Sequence, residues 1–473
     1  MTSSGGDGLA IAELVRAGVT TAAAAAEHAL AMIEAADDKV NSFTAVLHVR
    51  ARSDAARVDA LVGAGHDPGP LAGVPFAVKN LFDVAGRVTV AGSRISRDDP
   101  PATADAVAVA RMCQAGAVLV GSLNMDEYAY GFTTENSHYG PCRNPHDLGR
   151  VAGGSSGGSG AAVAAGFVPI SLGSDTNGSV RVPAALCGVF GLKPTYGRIS
   201  RSGMYPFCPS LDHVGVLARS VRDLAASYDV LHGPDPADPA TIGRSPAAVT
   251  PALGEGVDGL RLAVLGDYFA RGASDVSLAA VATVAAALGI DREVGFAEAA
   301  RARSAAMIIT ACEGAELHRA DLRTRPGEFD PMTRDRFLAG ALVPAGAYVT
   351  AQRFRRWFRN EVSRVLASVD VVVAPTTPFP APLIGQREAV VDGQTVQTQP
   401  YLGCFTQPLS FIGLPVLSIP VAAARGAEAD SGLPLGVQLV AAPYREAALV
   451  RVAAELERRG VAVVPEPAVH SWR

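Results

Sequence analysis

The chain has 473 residues, 49% of them hydrophobic, a formal net charge of −5 and a pI near 6.0. This balance favours neither nucleic acid nor an anionic membrane surface, and the length permits a large buried core. No run of about 18 uncharged apolar residues marks a membrane span, and Met1 to Gly8 lacks the basic head and apolar run of a secretory leader, so a soluble, cytoplasmic protein is expected.

Residues 9–35 carry an alanine-rich helical pattern that Gly18 divides in two. A strand is expected at Phe43 to Leu47 and a helix over 49–62. Val74 to Val78 reads as a buried strand with Lys79 at its carboxyl end, where open α/β sheets hold their chemistry. A helix over 104–115 and a strand at Ala117 to Val120 follow. Ser155 precedes a short helix expected over 160–166, the strand Phe167 to Leu172 delivers Gly173 to Ser179, and another short helix ends near Gly188. The Pro/Asp-rich stretch at 233–258 reads as a loop ahead of a strand at 259–266 and a helical insertion over about 267–360. Residues 345–368 form a long helix whose Arg353, Arg355, Arg356, Arg359 and Arg364 read as a solvated face. Strands at 369–374, 413–421 and 434–440 and a final helix at 445–459 complete the pattern.

Two glycine-rich runs each carry a serine: Ala152-Gly153-Gly154-Ser155-Ser156-Gly157-Gly158 and Ser174-Asp175-Thr176-Asn177-Gly178-Ser179. Only three of the 41 Lys and Arg residues are lysines, namely Lys39, Lys79 and Lys193. Arginine does not deprotonate in proteins and a buried lysine can, so Lys79 in its apolar strand is the candidate base. Lys39 lies in a charged run, and Lys193 reads as structural.

A serine hydroxyl needs a base to become a nucleophile. Histidine is the common one, but no Gly-x-Ser-x-Gly elbow surrounds Ser179, which speaks against a Ser/His/Asp triad despite Asp212-His213. The glycine run at 153–160 lacks the lysine of a nucleotide-binding loop. The six scattered cysteines form no CxxC pair and share no zinc spacing with histidines, so no metal is expected. A relay fits better: Lys79 takes a proton from Ser155, Ser155 takes one from Ser179, and Ser179 attacks a carbonyl. The backbone N–H groups of Thr176, Asn177, Gly178 and Ser179 are the expected oxyanion donors.

These runs, with Arg181 two residues beyond Ser179 and the upstream lysine, resemble the amidase signature family. The resemblance implies one domain over 1–473 and an α/β fold, a central mixed, largely parallel sheet covered by helices on both faces. It implies Lys79 as base, Ser155 as bridging serine in a cis peptide and Ser179 as acyl-forming nucleophile, with no cofactor. Common members carry Gly-Gly-Ser where this chain has Asn177-Gly178-Ser179. The SDTNGS run and Leu211 to Gly215 are similar to the biuret and carboxybiuret hydrolase branch, which implies a small amide or ureido substrate and ammonia release. Asn124 to Ser137 resembles the glutaminase component of the Glu/Asp-tRNA amidotransferase. Met307 and Gly403 stand where that glutaminase branch has its glutamine-contacting Tyr and Asp, and Arg334 falls near its carboxylate-binding Arg. Arg181, Arg334 and Met125 are therefore the expected substrate contacts, with Arg181 equally suited to bracing the nucleophile turn. A homodimer or a small accessory subunit is the protein partner those branches leave open, and a general aliphatic or aryl amidase is the further alternative.

Overall fold

A computed structural model describes residues 7–243, 245, 247–421 and 432–466. Residues 1–6, part of the segment read for a leader, lie outside them. The expected N-terminal helix is two helices, α1 (Gly8–Arg16) and α2 (Ala22–Val40), separated at Gly18, whose φ is +67°. Asp7 and Thr21 cap their first turns through side-chain oxygens.

Eleven strands join in one mixed sheet: β1 (Phe43–Val46), β2 (Pro75–Lys79), β3 (Val118–Leu123), β4 (Ile170–Asp175), β5 (Phe190–Lys193), β6 (His213–Ala218), β7 (Leu262–Leu265), β8 (Glu293–Val294), β9 (Val371–Pro375), β10 (Val416–Val421) and β11 (Leu435–Ala441). Their spatial order is β1-β3-β2-β4-β6-β5-β10-β11-β9-β7-β8. β2 runs parallel to both β3 and β4, and β7 parallel to β8 and β9. The other six adjacencies are antiparallel. The mixed sheet matches the expectation, but parallel pairing is confined to those two groups. Three of the six antiparallel adjacencies involve β5 or β6, which the sequence pattern did not reveal as strands.

Every residue of β2, β4, β5, β6, β9, β10 and β11 is buried, as both faces of the sheet are covered. The helix α3 (Gly157–Ala164) packs on β2 and β4, and α4 (Arg181–Cys187) packs on β5, β10 and β11. The segment expected as a helical insertion holds α5 (Ala299–Leu317), α6 (Pro331–Ala341) and α7 (Ala345–Leu366). It also supplies β8 to the sheet. On α7, Arg355 turns inward and donates to the Ser210 and Phe411 carbonyls, a departure from the solvated face expected there. Among the described residues no helix is long and apolar enough to cross a membrane.

The crossing of α5 and α6 is close because Gly340 faces the Ala311 carbonyl: a Cβ at residue 340 would lie 2.1 Å from that oxygen. Backbone cannot yield there as a side-chain tip can. Gly340→Ala is expected to push the helices apart and to cost about 1–3 kcal/mol, read as a lowered midpoint of chemical denaturation. An unchanged midpoint would show that the crossing tolerates the methyl group.

Candidate active site

Lys79 is the last residue of β2, the strand held between two parallel neighbours, and its side chain is fully buried. Its Nζ lies 2.7 Å from Ser155 Oγ and 2.9 Å from Ser174 Oγ. Burial pushes the ammonium down to about 7, against the opposing pull of the Asp126, Asp175 and Asp212 carboxylates. Lys193, also buried, donates to the Pro194 and Leu414 carbonyls and meets His213 Nε2 at 3.2 Å, a structural set of partners.

Ser155 is reached through a cis Gly154–Ser155 peptide, two residues before α3 begins. That helix starts at Gly157, earlier than the glycines led the sequence pattern to suggest. Gly154 is confined to glycine, since a Cβ there would sit 2.1 Å from Asp126 Oδ2. Ser156 N–H donates to the Ser179 carbonyl at 3.2 Å and Ser156 Oγ donates to the Ser174 carbonyl at 3.1 Å. Through Ser156 the two glycine runs are stitched side by side.

The turn from Asp175 to Arg181 is built around one carboxylate. Asp175 accepts from Gly178 N–H at 2.7 Å, Val180 N–H at 3.2 Å, and Arg181 Nε and Nη2 at 3.0 Å each. Burial raises the Asp175 pKa, but the adjacent guanidinium outweighs it and holds the carboxyl well below the usual range. Arg181 is fully buried and spends its remaining donors on the Thr406 carbonyl, Gln438 Oε1 and Ser410 Oγ. Of its two expected roles, the structure supports bracing the turn: no donor is left over for a substrate. Gly178 also departs from expectation. Its N–H is taken by Asp175, and at φ +135° a Cβ would strike Thr406 Oγ1 at 2.1 Å. The N–H groups of Thr176, Asn177 and Ser179 have no hydrogen-bond acceptor among the described residues.

Ser179, Thr176 and Asn177 line a cavity of about 300 Å³. Met307 and Ala311 of α5 and Ala339 and Gly340 of α6 form one wall, Phe132 and Phe207 another. Arg336 is the one charged side chain among the described residues lining it. Its Nη1 donates to the Tyr130 carbonyl at 3.1 Å and its guanidinium lies 5.3 Å from the centre of the Tyr130 ring. Arg334 is not in this wall: it pairs with Asp335 at 2.8 Å and is partly exposed. Residues two apart on a helix point to opposite sides, so Arg334 and Arg336 could not both face the cavity. The buried positions Thr333, Phe337 and Gly340 on α6 follow helical spacing and could have singled out Arg336. Met125, expected as a substrate contact, is fully buried and lies outside the lining of this cavity, its carbonyl accepting from Asn136 Nδ2.

Ser174 and Asp126 also escaped the sequence pattern. Ser174 sits near the end of β4, adjacent and parallel to β2, and so reaches Lys79. Asp126 is buried, which pushes its carboxyl up to about 7, and its N–H donates to the Ser155 carbonyl at 3.3 Å. Among the described residues no three His, Cys, Asp or Glu side chains converge as a metal site.

The Amidase family profile matches residues 24–450. The AtzE component of the 1-carboxybiuret hydrolase of Pseudomonas sp. (strain ADP) is 51% identical over 452 residues, covering 96% of this chain and 98% of that protein. A component of the Glutamyl-tRNA(Gln) amidotransferase of Anaeromyxobacter sp. (strain K) is 39% identical, covering 93% of this chain and 94% of its own. A solved structure of a vestigial protein complex, bearing on the evolutionary origins of an s-triazine catabolic enzyme, superposes with a TM-score of 0.95 at 50% identity, covering 97% of this chain and all of that one. The 6-aminohexanoate cyclic dimer hydrolase, solved with its substrate, superposes with a TM-score of 0.86 at 31% identity over 99% of this chain and all of its own.

Removing the brace leaves the Asp175 charge buried without its guanidinium. Arg181→Ala is expected to cost about 3–5 kcal/mol in urea unfolding, and a loss under about 1 kcal/mol would show that the turn is held by other means.

Proposed function

The chain belongs to the amidase family, and from that premise we propose that it hydrolyses a C–N bond of a small amide or ureido compound, releasing ammonia through an acyl-enzyme on Ser179. The single observation that carries the mechanism is the buried Lys79 amine, held near neutrality, at 2.7 Å from Ser155 Oγ. Neutral Lys79 accepts the Ser155 proton while Ser155 Oγ accepts that of Ser179. Ser179 Oγ bonds to the substrate carbonyl carbon, and the free N–H groups of Thr176, Asn177 and Ser179 face the developing oxyanion. Each such donor lowers the barrier by roughly 2.7–4 kcal/mol. The relay returns the proton to the leaving nitrogen, the C–N bond breaks, and ammonia departs. Water then adds to the ester carbonyl, its proton returns along the same path, and the carboxylic product leaves Ser179 free.

The substrate is read as small and carboxylate-bearing, of the 1-carboxybiuret kind. Identity of 51% to the carboxybiuret hydrolase component supports this, as does Arg336, a fixed guanidinium able to grip a carboxylate in two hydrogen bonds. The amidotransferase relatives support a glutaminase as the second reading. Gly403 disfavours it: the position that carries a glutamine-contacting Asp in that branch has no side chain here, and a Cβ would lie 2.4 Å from the Phe132 ring, which would have to move. A structural relative solved within a protein complex supports a protein partner for this chain, either a small accessory subunit or a second copy. The six unpaired cysteines fit a reducing, cytoplasmic setting.

Ser179→Ala and Lys79→Ala are each expected to lower ammonia release from biuret or 1-carboxybiuret by about 10³-fold or more with the fold retained. Full activity in Lys79→Ala would sink the relay. As Lys79 must be neutral, kcat/KM is expected to rise with pH through about 7 and to level off above it; a flat profile between about pH 6 and 8 contradicts a lysine base. Arg336→Gln is expected to weaken kcat/KM for carboxylated substrates by about 10- to 100-fold and to spare neutral ones, which a substrate pair measured side by side decides.

A further inference from the structure

Asp212 and His213 are consecutive, buried and outside the proton relay. His213 opens β6 directly opposite Asp175, the last residue of β4. Its Nδ1 meets two carbonyl oxygens, that of Leu211 at 2.6 Å and that of Asp175 at 3.1 Å. Carbonyls only accept, so Nδ1 carries the proton and shares it between them. Nε2 is then the acceptor, and Lys193 Nζ donates to it at 3.2 Å. Both ring nitrogens are thus spent on partners other than Ser179, and the Lys193 bond fixes the donating tautomer of Nδ1.

Asp212 holds the next residue of the turn. Its Oδ1 accepts from Thr176 Oγ1 at 2.6 Å, and its Oδ2 accepts from the Phe207 and Cys208 N–H groups at 2.9 Å each. One buried carboxylate therefore ties Thr176 to Phe207, and both of these line the cavity. Between the two anchors lies a single peptide unit, Asp175–Thr176, which is trans. In a trans peptide the C=O and N–H point in opposite directions. The carbonyl is held toward His213 and the Thr176 side chain toward Asp212, which sets the direction of the Thr176 N–H. That N–H meets no acceptor among the described residues.

We infer that Asp212 and His213 are positioning residues that clamp the Asp175–Thr176 peptide and so aim the Thr176 N–H at the developing oxyanion, with Lys193 holding His213 in its donating form. The clamp rests on the amide-hydrolase reading of this site and deepens it by assigning what fixes one of the oxyanion donors. A peptide plane without such anchors can rotate, and a donor stabilises the transition state best when it is set beforehand.

The test reads the second-order rate of Ser179 labelling by a fluorophosphonate, whose phosphoryl oxygen needs the same donors whatever the natural substrate, beside kcat and KM for biuret. Thr176→Val keeps the shape and the N–H and removes only the bond to Asp212. It is expected to lower the labelling rate and kcat about 10- to 100-fold while KM changes less than about 3-fold. His213→Leu is expected to do the same. His213→Asn places an amide N–H near the position of Nδ1 and is expected to return both rates to within about 5-fold of wild type. A wild-type labelling rate in Thr176→Val overturns the clamp, whether or not the His213 variants fold. Equal losses in His213→Leu and His213→Asn overturn the part of His213, because lost packing then accounts for both. Wild-type protein that labels at Ser179 but releases no ammonia from any amide overturns the hydrolase reading, while the labelling rates still decide the clamp.

Discussion

The burial of one amine governs this site. Lys79 ends a strand with strands on either side and helices over its faces, so its charge has no water to stabilise it. Three carboxylates act on it, and burial still outweighs them. A surface lysine would remain protonated at neutral pH and could not serve as a base. The location at the carboxyl edge of the sheet therefore sets the chemistry as much as the residue type does.

A second buried charge has the opposite task. Asp175 stays ionised because Arg181 meets it with two parallel hydrogen bonds, and the carboxylate then gathers the Gly178 and Val180 N–H groups into a tight turn. Ser179 is held within that turn, while the N–H groups of Thr176, Asn177 and Ser179 find no acceptor among the described residues. Glycine is needed at 154 and 178 because a Cβ there would lie 2.1 Å from an oxygen, that of Asp126 in one case and Thr406 in the other. The fixed dipoles of the site are thus set by the protein before any substrate enters, as electrostatic catalysis requires.

The cavity wall comes from elsewhere in the chain. Met307, Arg336 and Gly340 lie well over 100 residues beyond Ser179 and are brought over it by the packing of α5 and α6. Its lining is largely apolar, with a single guanidinium among the described residues. Specificity in such a site rests on a few polar atoms, because the apolar walls discriminate by size alone.

Much of the candidate site was legible in the sequence. A lone lysine in an apolar strand and two serines in glycine runs are local patterns, and each stands in the element its own neighbours dictate. The mixed α/β fold was what the family resemblance implied, alongside the strand and helix patterns read along the chain. What the sequence left open depends on which elements become neighbours. The residues of β5 and β6 carried no pattern read as strand, which hid the antiparallel centre of the sheet. Arg181 turned inward to a carboxylate six residues before it, Gly178 lost its N–H to the same group, Met125 was buried behind the site, and Arg336 rather than Arg334 faced the cavity. Ser174 met Lys79 only because two parallel strands end side by side. Residue type and spacing fix what a side chain can do and which local element holds it. Its direction, burial and unspent hydrogen bonds are set by long-range packing, and only the tertiary structure decides those.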